Sequence, residues 1–550
     1  MSVQAADRNP AKRQEPARMN TARMNRTGRG RSLAALVVGV CVLSACSGGG
    51  GTQADRPYVY AVGGDPMTLG LNAQFVSAPI SLLFSAQIMD PLIALSDDYE
   101  LSPGLAERWE VSADGLDLTL HLRSGVTWHD GEPFTAEDVK FNFEEIVPIQ
   151  TYGALLAERI ESVEITDPTT VTVHLTTPFG PLLETVASQF MLPKHIYEGT
   201  DYVTNQANKE PIGTGPMMFD SYTSGQEVVL TRNPDYWGGE VQVQRGVFTV
   251  IPDANARAEA LLAGEIDEAL LDPSQHARVS ANENTRLLEH GIFPQSVVAM
   301  FNTQTPQLSD PAVRAAIFAA LDRDAIVENA LTGLGTPANG FVPPEIDWAV
   351  NPEVDFDQDY PRDLDAINRT LDEAGFERGP DGTRFALKVL YITPLTEVGK
   401  TVEMAQSMLG EIGIAVEIVG TSGAVFNETV YPESDFDLAF LRTSLGPDPS
   451  LGIARWYECN EEKATAQNPS GVCDPEIDAA IAAALDTSDR AERGEALKRM
   501  QARAAELMYF APLAWFDGAY TTISTARWQG QDGAQAPPER RAWMTMTPAE

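Results

Sequence analysis

Six histidines, four cysteines and 78 acidic side chains bound the chemistry open to this sequence. The histidines are His121, His129, His174, His195, His276 and His290, and the chain beyond residue 290 has none. Trp128-His129-Asp130 has the residue types of an acid-base pair. His129, however, falls on the polar face of a strand ending in a turn, so it is given no catalytic part. Neither G-x-S-x-G nor H-E-x-x-H, C-x-x-C or a P-loop occurs. A carboxylate pair of the glycosidase kind stays open in so acidic a chain, because it needs a separation in space that sequence does not give. A secreted hydrolase is therefore the rival to a binding protein. Cys459 and Cys473 stand close in sequence with no histidine near them, a poor set for structural zinc.

The N-terminus indicates where this chemistry would take place. Arg8, Lys12, Arg13, Arg18, Arg23, Arg26, Arg29 and Arg31 face only Asp7 and Glu15, and Leu33 to Leu43 carries no charge, the plan of a signal peptide. The apolar run of 11 residues is too short for a bilayer core of about 30 Å, which takes roughly 20 residues. Leu43-Ser44-Ala45-Cys46 resembles the bacterial lipobox, in which the cysteine is lipidated and becomes the new N-terminus; several acyl chains on one residue anchor stably. An ordinary secretory signal with an unmodified Cys46 is the alternative. The glycine-rich stretch from Ser47 to Asp55 has nothing to bury and reads as a tether reaching on the order of 15 to 20 Å. Cys41 leaves with the leader and Cys46 is the anchor, so Cys459 and Cys473 are the remaining pair, and outside the cytoplasm they are expected to join. Closing a loop of about 15 residues contributes roughly 3 kcal/mol in the chain-entropy picture.

Loss of the leader removes eight basic and two acidic residues and takes the formal charge from -39 to -45. Such acidity argues against nucleic acid as a partner and repels anionic ligands at long range. About 500 residues remain, enough for more than one lobe, and no later segment is an uninterrupted apolar span of membrane length. The body is expected to be a monomeric, soluble α/β unit on a leash, without metal or cofactor.

The elements that would position a site are legible from periodicity. Leu118, Leu120 and Leu122 alternate with Thr119, His121 and Arg123, a half-buried strand. Ser124-Gly125 turns the chain, Val126 and Trp128 share the inner face of an expected next strand, and Asp130-Gly131 is a turn. Thr135 with Asp138 begins a helix carrying Val139, Phe143 and Ile146 inward. Asp310-Pro311 starts another, with Val313, Ile317, Ala320 and Leu321 as its buried stripe. Leu364, Ile367 and Leu371 form a third, stopped by Gly375. Val247 to Ile251 and then Ala254 to Ala263 read as strand and helix. From Phe385 the pattern runs strand, helix (Met404, Met408, Ile412), strand (Ile414, Val416, Ile418) and strand again at Phe436 to Leu441, which predicts a βαβ lobe. No repeat of 20 to 50 residues is present.

Several runs in order resemble a known family. Leu105-Ala106-Glu107-Arg108-Trp109-Glu110-Val111-Ser112-Ala113-Asp114-Gly115 continues through Leu122-Arg123-Ser124-Gly125-Val126-Thr127-Trp128-His129-Asp130-Gly131 and Phe134-Thr135-Ala136-Glu137-Asp138-Val139. Then come Pro211-Ile212-Gly213-Thr214-Gly215-Pro216, Asn233-Pro234-Asp235-Tyr236-Trp237, Ala263-Gly264-Glu265-Ile266-Asp267, and Phe301-Asn302-Thr303 with Asp310-Pro311-Ala312-Val313-Arg314-Ala315-Ala316. Over residues 57 to 525 the chain resembles the family 5 extracellular solute-binding proteins of peptide, nickel and related ABC importers. The resemblance implies a periplasmic-binding-protein-like fold, two lobes with one subdivided, joined by a hinge around a ligand cleft. It implies crossings near Pro294 to Phe301 and near Phe510 to Phe516. It divides the chain into signal peptide 1–45, lipidated cysteine and tether 46–56, lobe I 57–92, its subdomain 93–210, lobe I again 211–296, lobe II 297–512, and a return to lobe I with a C-terminal tail 513–550. A ligand touching both lobes stabilises the closed form, which a permease recognises.

The same resemblance points to a ligand loop at Arg442-Thr443-Ser444-Leu445-Gly446-Pro447-Asp448-Pro449, and to Thr68 within Asp65-Pro66-Met67-Thr68-Leu69. Relatives that hold a peptide amino group carry an acid where this chain has Leu445, so Arg442 or Asp448 becomes the candidate charged contact, with turn capping as the other reading of Asp448. Trp456 and Tyr457 are an aromatic wall of the cleft or part of the core. A metal chelate gripped by one histidine from each lobe is excluded by the histidine positions, which favours an organic solute. The expected function is a lipid-anchored receptor on the extracytoplasmic face of the cell membrane. It would pass a peptide or peptide-like solute to an ABC permease and ATPase complex; a sugar, an opine or a chelate is the alternative ligand.

Overall fold

The computed structural model describes residues 56–65, 72, 75, 79–96, 99–150, 152–271, 273–290, 294–393, 395–516, 519–530 and 543–549. The leader, Cys46, the tether and Thr68 lie outside these residues. In chain order the strands are β1 (Tyr58–Val62), β2 (Ile93–Leu95), β3 (Leu101–Pro103), β4 (Ala106–Val111), β5 (Asp117–Leu122), β6 (Ile160–Asp167), β7 (Thr170–Leu175), β8 (Met217–Thr223), β9 (Glu227–Arg232), β10 (Arg245–Val250), β11 (Glu268–Leu270), β12 (Thr285–His290), β13 (Gln295–Phe301), β14 (Thr336–Pro337), β15 (Phe385–Ile392), β16 (Ile414–Thr421), β17 (Leu438–Ser444), β18 (Phe510–Phe516), β19 (Ala519–Ser524), β20 (Trp528–Gln529) and β21 (Thr547–Pro548). They form three main sheets: β12-β19-β11-β1-β10-β9-β8 in lobe I, β4-β5-β7-β6 in its subdomain, and β14-β18-β13-β17-β15-β16 in lobe II. Among the described residues no helix is long and apolar enough to cross a membrane.

Lobe II is the expected βαβ unit with additions. Strands β15, β16 and β17 run parallel, with the helix Thr396–Glu411 between the first two. Antiparallel β13 and β18 extend the sheet, and their sequences are apolar at nearly every position because both faces are covered. Pro512 is tolerated inside β18 because the register shifts opposite Val297 and Val298, a bulge where no ladder donor is required. The Asp310 side chain accepts from Ala312 N–H and starts the helix Pro311–Ala320. From that helix Arg314, itself buried, donates to Leu308, Leu507 and Met508 carbonyls and ties off the end of the helix Arg490–Leu507.

Two expectations change. Val126 and Trp128 are buried but belong to no strand; the only pairing there is an isolated bridge between Thr127 and Pro133. Turns at Gly125 (φ 78°) and Gly131 (φ 92°) lie six residues apart and leave too little chain for a ladder. The stretches 294–301 and 510–516 are not crossings but strands of lobe II, so the chain changes lobe between β12 and β13 and again between β18 and β19.

Around a hydrophobic core that includes Tyr58, Phe84, Ile88, Leu230 and Phe248, motifs of the family resemblance fasten parts of lobe I together. A Cβ on Gly213 would lie 2.0 Å from the Ile88 carbonyl oxygen, so only glycine permits this approach. The His129 ring bridges the same turn: Gly213 N–H donates to Nδ1 (3.2 Å) and Nε2–H donates to the Gly215 carbonyl (2.9 Å). Burial lowers its pKa, which keeps it neutral as a fastener. Buried Asp90 accepts from Thr214 Oγ1 and Trp237 Nε1, both at 2.8 Å. The end of the chain docks as well, β20 pairing with β21 and Trp543 packing on Tyr58 and Phe248.

Candidate functional site

The carboxyl ends of β15, β16 and β17 are Ile392, Thr421 and Ser444, and Gln295, the first residue of β13, pairs with both Ser444 and Phe516. Both lobe crossings therefore meet lobe II on the edge where its parallel strands end, the edge that open α/β sheets use for ligands. Arg442 lies there, about three-quarters buried (25 % exposed), with Nη1 donating to Glu397 Oε1 at 3.1 Å. Glu397 is in the first turn of the helix Thr396–Glu411 and is buried. Thr421 Oγ1, also at this edge, is buried without a hydrogen-bond partner among the described residues.

Beyond Ser444 the chain folds tightly: a Cβ on Gly452 would lie 1.8 Å from the Leu445 carbonyl oxygen. Asp448 caps the short helix Pro449–Gly452, accepting from Ser450 N–H at 2.7 Å, and pairs with Arg493, both side chains buried. Leu445 is buried as well. Trp456 stacks on Phe510 at 5.1 Å, and Tyr457 sits among Phe341, Tyr509 and Phe510 with its hydroxyl donating to the Phe510 carbonyl at 3.0 Å. Asp448, Trp456 and Tyr457 are thus spent on lobe II's own packing, while Arg442 keeps exposed surface at the strand ends. Cys459 and Cys473 are disulfide-bonded, their Cα atoms 4.4 Å apart.

The subdomain of lobe I reaches across to these segments. Tyr99 Oη donates to the Gly446 carbonyl at 3.2 Å, and the Arg455 guanidinium lies 5.7 Å from the Tyr152 ring. Further along the seam Gly180 N–H donates to the Leu485 carbonyl (2.7 Å) and Arg159 pairs with Asp486 (3.0 Å). Glu184, in the helix Leu182–Ala187, approaches Arg493 at 4.0 Å. Burial, then the Asp448 charge, push its carboxyl up to about 7, with Arg493 and Arg490 acting the other way. Sequence reasoning missed Glu397, Glu184, Tyr99 and Tyr152. Each meets its partner from a distant part of the chain, 45 residues away for Glu397 and Arg442, and no local pattern marks such a pair.

What this arrangement can do is grip a small molecule between two lobes. Residues 100–464 match the model of the bacterial extracellular solute-binding proteins, family 5, middle region. A Brucella ovis protein named for ABC-transporter peptide binding is 33% identical over 379 residues, 66% of this chain and 69% of its own length. The dipeptide-binding protein of Escherichia coli is 29% identical over 430 residues, 73% of this chain and 78% of its own. The crystal structure of the ABC transporter substrate-binding protein CtaP of Listeria monocytogenes superposes with a TM-score of 0.79 at 26% identity, over 90% of this chain and 99% of that one. With a lobed α/β frame and a match over most of its length, this chain belongs to the family 5 bacterial extracellular solute-binding proteins, substrate-binding components rather than enzymes.

Proposed function

We propose that the protein is a monomeric, lipid-anchored receptor on the extracytoplasmic face of the membrane that captures a peptide or peptide-like solute between its lobes and delivers it to an ABC permease and ATPase complex. The observation carrying this reading is that both lobe crossings enter lobe II at the edge where β15, β16 and β17 end and where Arg442 remains partly exposed. The names of the Brucella and Escherichia relatives support the peptide class. Cys46 is proposed as the lipidated residue, and residues 46–56 as the tether. Lobe I comprises 57–92, the subdomain 93–210, a second part ending before β13, and the return from β19 onward; lobe II runs from β13 to β18. Arg442 is proposed to contact ligand from lobe II and Thr68 from lobe I, with Asp448, Trp456 and Tyr457 bracing the wall from behind.

A thermal-shift screen of the mature protein with peptides of two to five residues, sugars, opines and nickel chelates tests the reading. A ligand at about 100 times its Kd raises stability by roughly 2.7 kcal/mol. Melting unmoved by every peptide but raised by a sugar or chelate would refute the peptide class.

A further inference from the structure

Two carboxylates from opposite lobes converge on one guanidinium at the seam. Asp448 and Arg493 belong to lobe II and are paired and almost fully buried; Glu184 comes from the lobe I subdomain and stands 4.0 Å from the same Arg493. Arg490, one turn away on the helix Arg490–Leu507, is the remaining charge acting on Glu184, and Arg159–Asp486 is a closed pair along the same seam. Arg493 balances one acid at short range, and Asp448 takes it. Glu184, with 23 % of its side chain exposed, is then a second acid in a largely dry contact, where the charged form is penalised.

We propose that engagement of the two lobes takes up a proton at Glu184, so that solute capture is tightened by mild acid and loosened as the pH rises to neutrality. The inference rests on the two-lobe capture reading but names a separate device. The sign follows from linkage. In any state where Glu184 stands in water its carboxyl titrates near the usual 4.5, and in the engaged state burial and Asp448 raise it to about 7. Engagement is therefore strongest below about 4.5, weakens through the interval up to about 7, and is constant above.

Spin labels on cysteines replacing the exposed Val203 of the subdomain and Val425 of lobe II report the distance between lobes in the otherwise intact mature protein. The ratio of engaged to open protein in the wild type should fall on the order of 70-fold between pH 5 and pH 8, as a carboxyl raised from 4.5 to about 7 requires. Glu184→Gln should hold it at the acid value throughout. A wild-type distance distribution that ignores pH overturns the proposal, as does a Glu184→Gln protein with the wild-type slope. If that variant does not fold, carbon-13 titration of wild-type glutamates decides, since absence of a carboxyl titrating well above the ordinary range overturns it equally. Peptide retention that persists beside a flat pH profile sinks the proton device alone; loss of retention for every solute sinks the capture reading.

Discussion

Replacing Asp448 by asparagine separates a structural role from a ligand-binding one. The substitution keeps an oxygen to accept from Ser450 N–H, so the cap on the helix Pro449–Gly452 survives and the loss falls on the pair with Arg493. Both partners are shielded, with 2 % and 4 % of their side chains exposed, and breaking such a pair from one side costs about 3–5 kcal/mol because a buried charge is left behind. Glu184, the acid nearest to hand, gives the orphaned Arg493 partial compensation, which places the expected cost near 3 kcal/mol. For a cooperative unit of about 500 residues that lowers the melting temperature of the ligand-free protein by roughly 3 °C. Adding Arg493→Met should recover part of the loss, since the double variant buries no unpaired charge. Calorimetry of the four proteins forms the cycle. A D448N protein that melts within half a degree of wild type yet no longer retains peptide would refute this account and make Asp448 a ligand residue.

Two further outcomes follow from lobe packing. Changing Cys459 and Cys473 together to serine opens a loop of about 15 residues and should cost roughly 3 kcal/mol, read as earlier unfolding of lobe II by denaturant titration, with reductant producing the same shift in wild type. Gly246→Ala places a Cβ 2.0 Å from the Trp543 ring, so the C-terminal segment should lift off lobe I, raising tryptophan exposure to acrylamide quenching and destabilising by about 1–3 kcal/mol.

Much of the frame was legible because it is local. The alternation of Leu118, Leu120 and Leu122, the Thr135–Asp138 capping box and the Asp310-Pro311 start each specify backbone geometry within a few residues, and each forms where expected. The family motifs were legible too, but their physical work is joining: Gly213, Thr214, Gly215 and Trp237 fasten the subdomain to lobe I through Asp90 and His129. Val126 and Trp128 read as a strand because burial alone resembles alternation, while the turns at Gly125 and Gly131 limit the ladder. The crossings were misplaced by a few residues because an apolar strand such as Phe510–Phe516 carries no sign of which sheet it joins.

The sequence by itself determined the local elements, through hydrophobic period and capping residues that act over short stretches, while its ordered motifs, by their resemblance to the family 5 solute-binding proteins, implied the two lobes and the solute-binding role. Only the tertiary structure decided which charges face each other. Arg442 meets Glu397, Asp448 turns away to Arg493, and Glu184 arrives from the other lobe, because electrostatic energy depends on distance and burial in space, and chain separation records neither.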